Sequence, residues 1–300
     1  IPEFGTNFTS GMVDEIKPKT FAELVKIAGL SHGTDVWLGN ARDLIINNVV
    51  PFSEVIGCRD DIMIYLMYHG VEPIKAFKIM EFVRKGKASK PKEKDTWESY
   101  KKIMQDANIP EWFIDSCNKI KYMFPKAHAA AYVVSAFRIA WIKVHKPVYF
   151  YSSWLSCKAT DFDVETMMKG YDAIKARVEE IQNKGFNATT KELGLLECLK
   201  VCLEASARGI KFAKIDLYKS DWKVWQVADE HTIIPSFLSV DGLGETVAKN
   251  IVNERNKGKF VSIEDFQSRA KVSGTIVDKL KTIDVLENMP ESSQLSLFDF

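Results

Sequence analysis

Leu238-Ser239-Val240-Asp241-Gly242-Leu243-Gly244-Glu245-Thr246-Val247-Ala248-Lys249-Asn250-Ile251-Val252 is the stretch that decides how this 300-residue chain is read. Two glycines flank one apolar residue, and helical periodicity follows them. That pattern describes a tight hairpin delivering bare backbone amides to a helix N-terminus. Orphan N–H groups and the helix dipole both favour an anion there, and no side chain obstructs the approach of a phosphate. The candidate contacts are Val240, Gly242, Leu243, Gly244, Thr246 and Lys249. A plain turn between two packed helices is the simpler alternative, and the sequence leaves it open. A degenerate second copy follows, with a helix over 263–270, a hairpin at Lys271-Val272-Ser273-Gly274-Thr275 and a helix over 276–283. It lacks the Gly-x-Gly pair, so a phosphate contact by Ser273, Gly274 and Thr275 rests on the repeat alone.

Outward from that module the pattern changes near Gly209. The run Ile215-Asp216-Leu217-Tyr218-Lys219-Ser220-Asp221-Trp222-Lys223-Val224-Trp225 is short, aromatic and partly alternating, as an irregular or β segment would be. Upstream the spacing predicts helices over 163–184 and 188–208. The longest starts at Pro125, runs to about Val144 and is stopped by Lys146-Pro147. Pro110 starts another. Nearer the start, Phe21, Leu24, Val25 and Ala28 keep helical spacing until Gly29-Leu30-Ser31-His32-Gly33-Thr34-Asp35 interrupts, and helices around 41–48 and 60–68 follow. Residues 75–102 hold ten Lys and Arg against four Asp and Glu, which reads either as a basic patch or as a solvated loop.

Composition sets limits. An apolar content of 46% suits globular protein with room for two or three cores. A formal net charge of +1 means that any nucleic-acid role must come from local clusters. Five scattered cysteines, with neither a CxxC pair nor a signal peptide, point to reduced thiols in a cytoplasmic, soluble protein. Cys198 and Cys202 lie one helical turn apart, yet no further His or Cys accompanies them to make a metal site. No run reaches the roughly 18 apolar residues of a membrane span, so no membrane partner is expected. The opening Ile1-Pro2-Glu3-Phe4-Gly5-Thr6 lacks an initiator Met and reads as the middle of a longer polypeptide.

A second signal is Lys121-Tyr122-Met123-Phe124-Pro125-Lys126-Ala127-His128-Ala129-Ala130-Ala131-Tyr132, continuing to Arg138. On a helix His128, Tyr132 and Ser135 share one face with Arg138 next to it, and the alanines let another group approach the backbone. Cations, an imidazole and an aromatic ring there suit a triphosphate and a stacked base. A buried, hydrogen-bonded His on an Ala-rich core helix explains the same residues equally well. Asp161-Phe162-Asp163 and Asp60-Asp61 imitate metal dyads but sit where helices begin, as caps do.

The glycine hairpin and its copy resemble the helix-hairpin-helix family, which grips a duplex phosphate without reading sequence. The string at 124–132 is similar to the fingers signature of bacterial C-family replicative polymerases, and Gly29–Trp37 with Val55–Asp61 resemble its Gram-positive PolC branch. The likeness runs from Ile1 to Phe300 in the family's order. It implies a mainly α chain: a fingers region at 1–208, a tandem helix-hairpin-helix duplex-binding domain at 209–290, and a flexible clamp-binding tail at 291–300. It implies that Arg59, Lys126 and His128 lie near the triphosphate of an incoming dNTP and Ser31, His32 and Gly33 near the base pair, with Lys121, Tyr132 and Arg138 completing the nucleotide-binding set. It also implies primer–template DNA, the sliding clamp, and upstream palm and thumb domains of the same polypeptide as partners. The Mg2+-binding carboxylates of the palm are then expected upstream of Ile1, which would leave the isolated chain inactive and without catalytic or metal-ligating residues of its own. The rival reading is a non-catalytic adaptor tethering the clamp to duplex DNA.

Gln294-Leu295-Ser296-Leu297-Phe298 resembles the clamp-binding peptide of bacterial polymerases. A terminal peptide loses conformational entropy on docking, so a few buried anchors must carry the affinity. Burying Leu297 and Phe298 is worth about 3–6 kcal/mol of the roughly 8 kcal/mol in a micromolar interaction. Calorimetric titration of a sliding clamp should therefore show binding by the tail peptide, lost when Leu297 and Phe298 are both changed to Ala.

Overall fold

A computed structural model describes residues 1–292. The candidate clamp-binding residues Gln294 to Phe298 lie outside the described residues. The chain divides into two compact units, Ile1–Ala140 and Trp141–Phe300.

In the first unit, helices α1 (Asn7–Ile16), α2 (Phe21–His32), α3 (Arg42–Ile46), α4 (Arg59–Tyr68), α5 (Pro73–Arg84), α6 (Lys94–Asp106) and α7 (Glu111–Lys119) precede α8 (Lys126–His145), within which the unit boundary falls. Local chemistry starts them. Thr20 and Glu23 form a reciprocal capping box on α2, the side chain of Asp61 accepts the N–H groups of Gly57 and Cys58 ahead of α4, and Pro73 occupies the first turn of α5. The largest core joining these apolar faces includes Ile27, Leu30, Ile62, Leu66, Ile79, Val83 and Phe113, each at most 1% exposed, and Val25 and Ala28 pack with Ala129 and Val133 in a smaller one. Each such side chain contributes about 1.5–3 kcal/mol on leaving water.

The interruption expected at 29–35 starts later than its glycine suggests, because α2 continues through Gly29 to His32. Gly29 is there for a tertiary reason: a Cβ at this position would lie 2.5 Å from the carbonyl oxygen of Gly57. Ser31 and His32 thus stand in the last turn of a helix, and Gly33 follows it.

In the second unit come α9 (Pro147–Cys157), α10 (Val164–Met168), α11 (Tyr171–Asn183), α12 (Thr190–Ala207), strands β1 (Lys211–Phe212), β2 (Gln226–Asp229) and β3 (Thr232–Ile234), then α13 (Glu245–Lys257), α14 (Ile263–Ala270) and α15 (Gly274–Thr282). The single helix expected over 163–184 is two, broken where Gly170 takes φ +88°. Asp163 caps the first of them by accepting the N–H of Thr166, in keeping with its reading as a cap. Gly209 turns the chain out of α12 at φ +82°. The sheet order is β1-β3-β2, with β1 parallel and β2 antiparallel to β3 and a bulge between Val227 and Asp229.

Two cores fill this unit. One packs α9, α11, α12 and the sheet around Tyr151, Leu199, Cys202 and Trp225. Ser152 and Ser156 of α9 hold the backbone of Trp225 from both sides, the first donating to its carbonyl at 2.6 Å and the second accepting its N–H at 2.8 Å. The other packs the helices of the two hairpins around Phe237, Ile251, Phe266 and Leu280. The mainly α class expected from periodicity is the class observed. No described helix is long and apolar enough to cross a membrane.

Two helical glycines make opposite predictions. Gly11 of α1 has open space where a Cβ would go, so Gly11→Ala should stabilise the protein by about 0.5–1 kcal/mol through helix propensity. Gly29→Ala forces a methyl into the backbone of Gly57 and should destabilise by roughly 1–3 kcal/mol. Denaturant unfolding of both variants checks the pair.

Candidate nucleotide and duplex interfaces

The first unit brings most of the candidate nucleotide residues together at the facing starts of α4 and α8. Asp60 accepts the backbone N–H of Lys126 at 2.7 Å, so a side chain from α4 caps α8. Arg59 donates its backbone N–H to the carbonyl of Phe124 at 3.1 Å. Asp61 receives the Lys126 ammonium at 3.3 Å, and this carboxylate is the main reason the lysine's pKa is raised. Lys126 is therefore held charged at a helix N-terminus, beside the Arg59 guanidinium. Arg59 Nε is buried without a hydrogen-bond partner, and the same guanidinium reaches Glu81 at 3.7 Å through Nη1.

Residues 121–124 form a strap stitched to three other segments. Thr34 donates to the carbonyl of Tyr122 at 2.9 Å, the N–H of Lys121 goes to the carbonyl of Thr34 at 3.1 Å, and that of Met123 goes to the carbonyl of Arg84 at 3.3 Å. Gly86, at φ +62°, lets Lys121 pass directly over it: a Cβ there would lie 2.3 Å from the Lys121 carbonyl oxygen. The Lys121 ammonium pairs with Asp35 at 2.5 Å.

The strap ends in a ladder of rings. His32 stacks on Phe124 with centroids 4.9 Å apart, Phe124 meets His128 at 4.8 Å, and His128 meets Tyr132 edge-on at 4.6 Å. Glu3 holds His32 Nε2 at 2.6 Å. His128 and Tyr132 are exposed, while Ala129, Val133 and Ala136 form the buried face of α8, which settles the choice against a core histidine. Ser31 directs its hydroxyl to the carbonyl of Ala28, and Gly33 packs where a Cβ would lie 2.4 Å from Val36 Cγ2. Arg138 is exposed, about 9 Å further along α8 than Tyr132, and stands apart from the cluster.

In the second unit the first hairpin has the expected form. Gly242 takes φ +85°, a conformation costly for side-chain-bearing residues, and Leu243 is the buried anchor between the glycines. Gly244 is the N-cap of α13, and a Cβ there would meet nothing within 4 Å, so no neighbouring group crowds this glycine at the helix start. Val240 is buried behind the turn, whereas Thr246 and Lys249 are exposed on α13.

The second hairpin aligns differently from the sequence reading. Ser273 is the N-cap of α15, Val272 is the buried residue, and Lys271 takes the left-handed conformation at φ +56°. Lys271 and Ser273 thus stand where Gly242 and Gly244 stand in the first copy. Gly274 already belongs to the helix, and it, Ser273 and Thr275 are exposed. Lys279 of α15 ties the two copies together by donating to the Asp241 carbonyl at 2.9 Å, and Lys191 of α12 pairs with the Asp241 carboxylate at the same distance. Neither lysine is visible as a hairpin neighbour in the sequence. Among the described residues no three of His, Cys, Asp or Glu converge to hold a metal ion.

Residues 1–108 match the finger domain of the bacterial DNA polymerase III alpha subunit, and residues 209–295 match the helix-hairpin-helix motif. Over 298 residues the chain is 54% identical to DNA polymerase III PolC-type of Bacillus subtilis (strain 168). Over its whole length the chain is similar to one part of the PolC-type DNA polymerase III proteins. It is also 52% identical over 301 residues to the PolC-type proteins of Streptococcus mutans serotype c and Streptococcus pneumoniae serotype 2. These alignments cover 99% or 100% of this chain but 20% of each relative, so the chain spans about a fifth of the length of the curated relatives it matches. Ser31, His32, Gly33 and Arg59 fall inside the finger match, and Lys121, Lys126, His128, Tyr132 and Arg138 lie beyond its end. All the duplex candidates lie within the helix-hairpin-helix match.

Glu81 anchors the basic side of this cluster. A hydrogen bond from Arg84 is the chief reason its carboxyl falls to about 2, and Lys85 adds to it. A depressed carboxyl stabilises the fold fully above its ordinary value of 4.5, and that contribution disappears as pH falls towards 2. Urea unfolding between pH 5 and 2 should show this loss in the wild-type protein. Glu81→Gln should remove that part of the pH dependence.

Proposed function

We propose that this chain is the part of a template-directed DNA polymerase that holds the incoming dNTP, the primer–template duplex and the sliding clamp. One arrangement carries the nucleotide assignment: Lys126 at the start of α8, capped by Asp60 and charged against Asp61, next to an Arg59 whose buried Nε makes no hydrogen bond and lies 4.0 Å from the Asp60 carboxylate. The N-terminus of a long helix attracts polyanions, and a lysine with an arginine beside it supplies the charge-assisted bonds that a triphosphate needs. The exposed His128–Tyr132 ring pair stands within the first two turns of α8, suited to lie against the sugar or base.

Duplex binding is assigned to the Gly242–Gly244 hairpin, whose amides suit a phosphate and carry no sequence information. The second hairpin adds Ser273, Gly274 and Thr275 at the start of α15. Clamp binding is assigned to Gln294, Leu295, Ser296, Leu297 and Phe298. In this reading the magnesium ions used in phosphoryl transfer are held by carboxylates outside residues 1–300, and this chain binds and orients the groups that react.

Primer-extension kinetics in the full-length protein test the nucleotide assignment. Lys126→Ala and Arg59→Ala should each raise the KM for dNTP and lower kcat, together costing about 1.5–3 kcal/mol of transition-state stabilisation per variant. Unchanged nucleotide kinetics alongside lost DNA binding would overturn it.

A further inference from the structure

The aromatic run at 215–225 is the feature of the sequence that the hairpins leave unused. The geometry points to a further duplex-phosphate element there, the turn 216–224, contacting DNA through Lys219 and Lys223 while Trp222 seats Lys249 of α13. This rests on the duplex-binding reading proposed for the hairpins.

The turn is built to hold its shape. Asp216 accepts the N–H groups of Tyr218 and Lys219 at 2.8 and 3.0 Å, and Asp221 accepts those of Lys223 and Val224 at 2.9 and 2.8 Å. Arg255 Nη1 donates to the carbonyls of Leu217 and Ser220 at 2.8 and 2.6 Å, and the Tyr218 hydroxyl accepts the N–H of Phe260 at 3.2 Å. An unstructured surface loop would leave these groups to water. The lysines are thus carried on a fixed backbone.

The turn is also joined to the hairpin. Asp221 and Trp222 accept the N–H groups of Phe237 and Leu238 at 3.0 and 3.1 Å, on the segment that leads into Gly242. From the other side the Lys249 ammonium lies 4.4 Å from the Trp222 ring centroid. Glu245, the first residue of α13, has a lowered carboxyl pKa, chiefly because of a hydrogen bond from Lys249, and the charge of Lys223 contributes too. Trp222 and Lys223 therefore flank the turn of α13 whose amides face the proposed phosphate.

Charge separates inward and outward. The carboxylates of Asp216 and Asp221 are spent on backbone N–H groups, with the half-buried guanidinium of Arg255 close to both. Outward stand Lys219, whose side chain is 72% exposed and 3.7 Å from Asp216, together with Lys223 and Lys249. Glu245 is exposed among them, paired with Lys249. A cation seated on an aromatic face keeps its full charge for a second, anionic partner. A strand whose phosphate sits on the Gly242–Gly244 amides runs on past this surface, and lysines hold neighbouring phosphates without regard to sequence.

Duplex binding by the 300-residue chain, followed by fluorescence anisotropy as a function of salt, decides the matter. The double variant Lys219→Ala, Lys223→Ala should make the dependence of log K on log salt shallower by about 2, equally on unrelated duplex sequences. Lys-to-Arg changes at both positions should restore the slope. Trp222→Leu should weaken binding in the wild-type background and add nothing to Lys249→Ala, since it acts through that lysine. If Gly242→Val abolishes binding while the double lysine variant keeps the wild-type slope, the turn is no phosphate element and the hairpin reading stands. If neither change affects binding, or the wild-type chain binds no duplex, the hairpin reading falls and this one with it.

Discussion

The Asp60 carboxylate, set in the first turn of α4, accepts the backbone N–H of Lys126 at the start of α8, and the cluster proposed to hold the nucleotide hangs on that bond. A helix begins with N–H groups that no residue of its own turn can satisfy. Here the cap comes from 66 residues away in the chain, so the two helix starts are fixed against each other. Arg59 answers by donating its own N–H to Phe124, two residues ahead of α8. With both ends committed, the strap at 121–124 has one course to follow. Gly86 clears its path, and the ring ladder His32–Phe124–His128–Tyr132 runs on from it.

The same economy operates in the second unit around Asp241. Its carbonyl and carboxylate receive Lys279 from the second hairpin copy, and its carboxylate also receives Lys191 from α12. These pairs are exposed, so each is worth little by itself. Their role is geometric: they tie the residue ahead of Gly242 to α15 and to α12. The hydrophobic core beneath, with Phe237, Ile251, Phe266 and Leu280, holds the two copies as one body.

Much of this was legible in the residues. Period and punctuation reveal α8, α4 and the tandem hairpin, because an amphipathic stripe, a Pro at the first turn and a Gly at positive φ are local requirements. The breaks were harder. Gly29 looks like a helix stop and is instead a contact point with Gly57, while Gly170 sits inside a helical pattern and does break it. A glycine's meaning depends on its neighbour in space. Lys271 in the left-handed region was similarly hidden, since a lysine there gives no sign of the conformation that the chain imposes on it.

By itself the sequence determined the helical class, the two glycines of the hairpin and the residues of the fingers string, since each follows from chemistry within a few positions. Only the tertiary structure decided that Asp60 and Asp61 serve Lys126, that Arg59 and Glu81 face each other, and that Trp222 lies under Lys249. Those partners are separated by between 22 and 66 positions. A capped N–H or a seated ammonium needs only an oxygen or a ring within a few ångströms, and which residue supplies it is settled by how the cores pack.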